Sequence, residues 1–295
     1  MIYSIENEFL HVSVDSFGAQ PASIRSKKTG VEYLWQGDKA YWGGRAYNLF
    51  PTIGRMFDGK YTYRGKTYSI RPHGLARYYD FALTAQSATE LVFTLTHESA
   101  DDILSQYPFR FAFSVRFALD GNKLVFAFSA QNLENDRDLI CSFGGHPGIN
   151  VPFDGGNFED YAVEFEQPTA LKQHLLSENK FIDGAVAPYA AEAGTRIPLR
   201  HGLFDNDALI FSGSCGALRL QKQGGKRYVR MRYDGFKYFA LWHAVGTDAP
   251  FVCLEPWQAL CATEGKIDDL EAKPDMLHVP PLQKTEAEFS LEFVE

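Results

Sequence analysis

The sequence has no cluster of basic residues and no excess of positive charge. Lys and Arg number 29 against 37 Asp and Glu, a formal net charge of −8. Nucleic-acid binding rests on neutralising phosphates with basic side chains, so this balance argues against a nucleic-acid partner. No window is apolar enough for a transmembrane helix, and no membrane partner is expected. The first residues, MIYSIENEFLHVSV, alternate like a strand and lack the basic start and apolar stretch of a signal peptide. Cysteine is scarce. The four residues, Cys141, Cys215, Cys253 and Cys261, show no CxxC spacing and sit in apolar or Gly-rich surroundings. They read as buried free thiols rather than disulfides or zinc ligands. Together these absences predict a cytoplasmic protein.

Also missing are a Pro-, Ser- or Gly-rich linker and any repeat of fixed period, which favours one domain over residues 1–295. Helical periodicity is confined to short pieces, residues 101–106 and 268–272. What fills the chain instead is strand pattern. Hydrophobic residues make up 45% and charged residues 22%, enough to bury a sizeable core, and Phe (24) and Tyr (15) favour strands. In FRFAFSVRFAL, Phe109, Phe111, Phe113, Val115, Phe117 and Leu119 share one face while Arg110, Ser114 and Arg116 share the other. Asp120-Gly121-Asn122 then supplies a turn, and LVFAFSA runs back as the partner. YTYRGKTYSI and LRLQKQGGKRYVRMRY repeat the hairpin pattern around Arg64-Gly65 and Gly224-Gly225. Consecutive hairpins without crossovers predict an all-β fold, a large antiparallel β sandwich with few short helices.

Some segments break the alternation with residues that a β core does not require. Arg55, His73 and Arg77 lie in LFPTIGRMFDGKYTYRGKTYSIRPHGLAR, and His146 lies in FGGHPGINVPF. Asp205 and Asp207 lie in GLFDNDALIF, and Glu255 in PFVCLEPWQALCA. Singly, each has a structural explanation: a His between Gly and Pro is often a turn residue, and an Asp often caps a turn. Glu255 resists that explanation. A carboxylate after Val-Cys-Leu and before Pro-Trp is expected to be desolvated, and burial raises its pKa toward the range of a useful base. His243, in ALWHAVG, is expected to pack beside Trp242 rather than to react.

These segments in this order resemble the aldose 1-epimerase (galactose mutarotase) family, and more closely its shorter bacterial mutarotase-like branch. The matching stretches are GAQPASIRSKKTGVEYLWQGD, NLFPTIGR, HGLAR, GGHPGINVPF, FDNDALIF and CLEPW. The resemblance implies a large β sandwich and an isomerase that interconverts the α and β anomers of a free hexose such as galactose or glucose. It gives Glu255 the place of the catalytic base and His146 that of the acid. His73 matches the second active-site histidine, and Arg55 the arginine that binds sugar hydroxyls. The family's aspartate falls in FDND and is placed at Asp207, with Asp205 two residues away on the same strand face. Gaps between motifs are shorter than in the typical galactose enzyme, and Trp257 directly follows Glu255-Pro256, which bears on the preferred sugar.

Mutarotation removes a proton from the anomeric hydroxyl while another reaches the ring oxygen, so a base and an acid must stand together. The expectation is that Glu255 takes the O1 proton and His146, as imidazolium, protonates O5, with His73 steadying the acid. Arg55 and Asp207 would hold non-reacting hydroxyls, and Trp257 or Trp35 would cover the apolar sugar face. No metal or organic cofactor is required, and the partner is a small-molecule sugar, the chain acting as monomer or homodimer. Four rivals remain. A hexose-6-phosphate mutarotase would need added cations, for which Arg45, Arg71 and Arg77 are candidates. A non-catalytic carbohydrate-binding or sensing protein would keep the fold. A metal site of two His and one Glu lacks the usual close spacing, and a glycosidase would need a second carboxylate, for which Asp207 is the candidate.

Overall fold

The computed structural model describes residues 1–295, nearly all of them in strands or the turns between strands. The alternation in the sequence becomes alternation in burial. Along Phe111–Asp120, Phe111, Phe113, Val115 and Phe117 are buried while their neighbours are half exposed. Gly121 (φ 59°) makes the turn, and Lys123–Asn132 returns in antiparallel register, with Phe126 opposite Phe117. Each buried Phe contributes about 1.5–3 kcal/mol relative to its exposed state.

That hairpin belongs to a nine-stranded sheet. Its strands run, side by side, Arg196–Pro198, Tyr161–Phe165, Ala217–Lys222, Tyr228–Arg232, Lys284–Val294, Lys123–Asn132, Phe111–Asp120, Glu90–Thr96 and Ala82–Gln86. A seven-stranded sheet orders Ile182–Pro188, Lys172–Leu176, Leu209–Ser212, Tyr238–Trp242, Phe251–Trp257, Gly144–Asn150 and Ala46–Leu49. Neighbours in both sheets pair antiparallel. The sheets meet face to face across an aromatic core: Phe165 lies 6.2 Å from Phe239, Phe128 lies 5.7 Å from Phe143, and the Phe289 ring sits against Gly145. The predicted antiparallel sandwich is therefore the fold.

Both sequence-predicted helices shrink. One is a single turn, Ile103–Gln106. Residues 268–272 are not helical: Asp268–Asp269 pairs in parallel with Lys60–Tyr63, and the chain then turns. The buried ion pair between Asp268 and Lys273, 2.7 Å, ties down this segment, so its acidic residues serve a tertiary contact rather than a helix face.

The seven-stranded sheet differs from its partner in having both faces covered along its strands Phe251–Trp257 and Gly144–Asn150. Within Phe251–Trp257 every residue is buried. Val252 and Leu254 join the core between the sheets, while Phe251, Cys253, Glu255 and Trp257 point the other way. Trp35 and Trp42 stack on Phe251 there, 4.6 and 5.6 Å between ring centres. Loops thus roof this outer face and leave a cavity against it.

Candidate active site

The cavity encloses about 290 Å³ and is lined by residues from separate stretches of the chain between Trp42 and Cys261. It lies at the lower end of the ~300–1,000 Å³ typical of small-ligand sites, a monosaccharide-sized space. His146 and Glu255 form its floor. Their strands pair with Gly144 opposite Trp257 and Gly148 opposite Cys253, which sets His146 against Glu255 midway. The glycines of GGHP permit that approach. A Cβ on Gly144 would stand 2.6 Å from the Pro256 carbonyl oxygen, and one on Gly145 would stand 2.5 Å from Phe289. His146 Nε2 lies 3.3 Å from Glu255 Oε1, and Trp257 Nε1–H donates to Glu255 Oε2 at 3.1 Å. The carboxyl is 1% exposed and the imidazole residue 7%.

Burial penalises charge on both groups. It pushes the Glu255 carboxyl well above the usual carboxylate range, with the Trp257 donor opposing and the Asp207 charge adding. It pushes the His146 imidazole well below its ordinary value, helped by repulsion from His73 and Arg77. Burial thus disfavours charge on either partner and works against the expected imidazolium–carboxylate arrangement. Trp42 stacks on the His146 ring at 4.9 Å and Tyr47 meets it edge-on at 6.0 Å, fixing the ring plane.

His73 comes from the Pro-His-Gly turn. Its backbone is left-handed (φ 65°), held by reciprocal bonds with Gly54: the His73 N–H donates to the Gly54 carbonyl, and the Gly54 N–H donates to His73 Nδ1 at 3.2 Å. Gly74 comes next with φ 78°, where a Cβ would strike the Phe50 carbonyl. Because Nδ1 accepts, a neutral His73 carries its proton on Nε2. Burial, then the charges of Arg77 and Arg55, lower its pKa to about 3, so it is neutral at working pH. Its ring centre is 5.5 Å from that of His146.

The remaining residues ring the opening. Arg55 directly succeeds Gly54, and its backbone carbonyl accepts the Ala262 N–H at 2.9 Å, leaving the side chain exposed at the cavity edge. Arg77 lies in the short 3-10 turn Ala76–Tyr78 with its guanidinium 3.8 Å above the Tyr47 ring. Asp207 (φ 74°) closes a turn and accepts the Trp242 Nε1–H at 2.6 Å.

All seven sequence-derived site residues, Glu255, His146, His73, Arg55, Asp207, Trp257 and Arg77, line this one cavity. Four readings change. FDND is not a strand: it spans the end of the 3-10 turn His201–Phe204 and the three residues beyond it, so Asp205 is exposed and outside the lining while Asp207 turns inward. Trp35 is packed behind the cavity on Phe251. Trp257 stays in the lining but is also engaged as a donor to Glu255, and Trp42 and Trp242 extend the aromatic wall. Arg45 and Arg71 stay out of the lining, and only Arg77 of the three enters it. His243 is buried 3.1 Å from His201, beside Trp242 in sequence and away from the cavity.

Sequence reasoning missed Trp42, Tyr47, Trp242 and Lys180. They fall in no motif, and each is brought to the site by a loop or a neighbouring strand. The group of ligand-type atoms that does form is not the two-histidine one: His146, Cys253 and Glu255 have donor atoms within 4.8 Å of one another. Ligation there would require removing protons from a thiol and a carboxyl that burial holds well above their ordinary values, close to the Arg77 charge.

The chain resembles known proteins over its whole length. The profile described as Aldose 1-epimerase matches residues 1–263. The curated protein LacX (chromosomal) of Lactococcus lactis subsp. lactis is 29% identical over 301 residues, covering 99% of each chain. A solved structure from Lactobacillus acidophilus, described as a galactose mutarotase related enzyme, superposes with a TM-score of 0.93 at 31% identity, covering 100% of this chain and 98% of that one. A galactose mutarotase-like protein from Lactobacillus casei ATCC 334 gives a TM-score of 0.93 at 26% identity, with 99% of this chain and 100% of the other covered. The chain belongs to the aldose 1-epimerase family.

Proposed function

We propose that the cavity accelerates exchange between the α and β anomers of an aldose by opening and reclosing its hemiacetal ring. The observation that carries this reading is the buried His146–Glu255 pair, 3.3 Å apart, in which burial raises the carboxyl pKa and lowers that of the imidazole. Ring opening moves one proton off O1 and one onto O5, two oxygens on the same carbon. A pair that holds one proton between a carboxyl and an imidazole does both: the unprotonated partner accepts from O1 as the protonated partner donates to O5. Rotation about C1–C2 presents the other face of the aldehyde, and reclosure returns both protons, so the pair is regenerated. The summed charge of the pair does not change: if the proton starts on Glu255, ring opening leaves imidazolium and carboxylate 3.3 Å apart, their attraction offsetting the cost of charging each in the dry site until reclosure restores the neutral forms.

In this mechanism Glu255 and His146 are the acid/base pair, and the single proton makes either allocation competent. His73 presents Nε2–H as a hydrogen-bond donor to a sugar oxygen beside His146. Arg55 and Asp207 bind non-reacting hydroxyls and fix the ring. Trp42 and Trp242 offer aromatic faces for the apolar C–H side of the sugar.

The test is polarimetry of freshly dissolved α-D-galactose and α-D-glucose with increasing protein. The expected outcome is a rate above the spontaneous one that rises in proportion to protein concentration. Sugar binding by calorimetry without any acceleration would replace the enzyme with a non-catalytic sugar-binding protein.

A further inference from the structure

At one stage of every turnover in the proposed mechanism His146 is an imidazolium, in a place that resists charge. Burial opposes a cation there, and His73 and Arg77 add to the opposition. Glu255 Oε1 faces Nε2 at 3.3 Å, but Nδ1 is buried without a hydrogen-bond partner. An imidazolium is a donor at both nitrogens, so the carboxylate meets only one of them. What surrounds the ring otherwise is aromatic. Trp42 lies over its face, with 4.9 Å between ring centres and 26° between planes, whereas Tyr47 and Trp242 meet it steeply, at 71° and 74°. The negative face of an indole attracts a cation within about 6 Å of its centre, and more strongly where water is excluded.

Trp42 is held in that position from several sides. It sits in the loop over residues 36–45, where its backbone N–H donates to the Asp38 carbonyl at 2.9 Å and its carbonyl accepts the Trp35 Nε1–H at 2.8 Å. Two glycines clear its volume: a Cβ on Gly44 would stand 2.5 Å from Trp42 Cζ2, and one on Gly148 3.2 Å from Cζ3. Phe251 packs nearly parallel to Trp42 at 5.6 Å, and Trp35 to Phe251 at 4.6 Å, so the rings form one stack that ends on His146. The titratable groups facing His146 are Glu255 and Cys253 from Phe251–Trp257, Tyr47 from Ala46–Leu49, His73 from its turn and Arg77 from Ala76–Tyr78. None of them changes when only the electron density of the indole is changed.

We propose that Trp42 is a positioning residue that acts through His146, its π face stabilising the imidazolium that forms as the sugar ring opens. The rate effect rests on the mutarotase reading, whereas the contact between indole and imidazolium is open to test without turnover.

The tryptophan at position 42 alone is replaced by its mono-, di- and trifluorinated analogues, which keep the ring's shape and drain its π face, and anomer exchange of galactose and glucose is followed. The expected result is a kcat that falls with each added fluorine, by about ten-fold over the series, while the same series at Trp35 leaves kcat level. A kcat constant across the Trp42 series, whether or not KM rises, leaves Trp42 as wall for the sugar and overturns the proposal with the mutarotase intact. So does a kcat that rises, which would place the imidazolium in the resting state, or an equal fall in the Trp35 series. Should no sugar be accelerated, the mutarotase reading fails, and NMR titration of the His146 imidazole decides the contact alone. A midpoint that moves to lower pH with each fluorine upholds it, and an unmoved midpoint overturns it.

Discussion

The two sheets of the sandwich obey different rules. In the nine-stranded sheet one face is core and the other meets water, so Phe111–Asp120 and Lys123–Asn132 alternate buried and half-exposed residues. Its outer face carries charges that neutralise one another, such as Arg230 with Glu166 and Glu292. In the seven-stranded sheet both faces of Phe251–Trp257 and of most of Gly144–Asn150 are covered. A titratable residue in the first sheet is a solvated ornament of the pleat. The same residue in the second has left water at a cost of several kcal/mol unless it remains neutral or is paired. The proposed chemistry lies where the sheet is covered twice.

Single substitutions in each sheet break this comparison most sharply. Glu255→Gln keeps shape and neutrality but removes the transferable proton, and mutarotation is expected to fall about a thousand-fold, measured by polarimetry. Stability moves the other way. The folded carboxyl titrates above its ordinary value of 4.5, so the folded state keeps a proton that the unfolded chain releases. Stability therefore declines as pH rises from about 4.5 toward the folded pKa, and the glutamine escapes that decline. The melting temperature of Glu255→Gln at pH 8 is expected to equal or exceed that of the wild type. Phe117→Ala in the other sheet is the mirror image. It empties a fully buried site beside Phe126 and Phe93, at a cost of about 3–5 kcal/mol in denaturant unfolding, while activity per folded molecule holds.

The same contrast explains what was legible in the sequence. Strand hairpins such as the pair around Gly121 announce themselves because one wet face imposes period two. Glu255 announces itself because a carboxylate amid Val-Cys-Leu and Pro-Trp has no solvent to meet. Trp42, Tyr47 and Lys180 do not, because loop residues have no period and their roles exist only after distant segments meet. The expectation that Asp205 and Asp207 share a face fails for a related reason: FDND borders a strand, and the 3-10 turn that separates their directions is set by tertiary packing. The acidic stretch 268–272 has a helical spacing that the buried Asp268–Lys273 pair overrides.

The pH profile sharpens the reading of the floor. In the proposed mechanism the pair works while it holds one proton. A second proton must settle on His146, whose pKa lies well below 6.5, so the acid limb is expected below the range of a free histidine. Loss of the proton from Glu255 sets the alkaline limb, far above 4.5. Both limbs are properties of the coupled pair. Trp257→Phe removes the one hydrogen bond that favours the ionised carboxylate, so the alkaline limb is expected to move to higher pH, with a fall in kcat of several-fold from the looser carboxyl. A merely packing role for Trp257 would leave the limb where it is in kcat measured against pH.

The smallest effect belongs to the wet face. Arg116 and Glu90 stand 3.3 Å apart on neighbouring strands of the nine-stranded sheet, their side chains 40% and 41% exposed. Water and salt screen the pair, and ordering two long side chains offsets most of the attraction, leaving about 0–1 kcal/mol. Arg116→Ala is expected to shift the denaturant midpoint within that range and to leave mutarotation unchanged, and added salt should erase even the small difference. If this exposed pair instead cost as much as a buried one, the sheet would be covered on its outer face in solution. The distinction between a sheet wetted on one side and a sheet covered on both would then belong to the isolated chain alone.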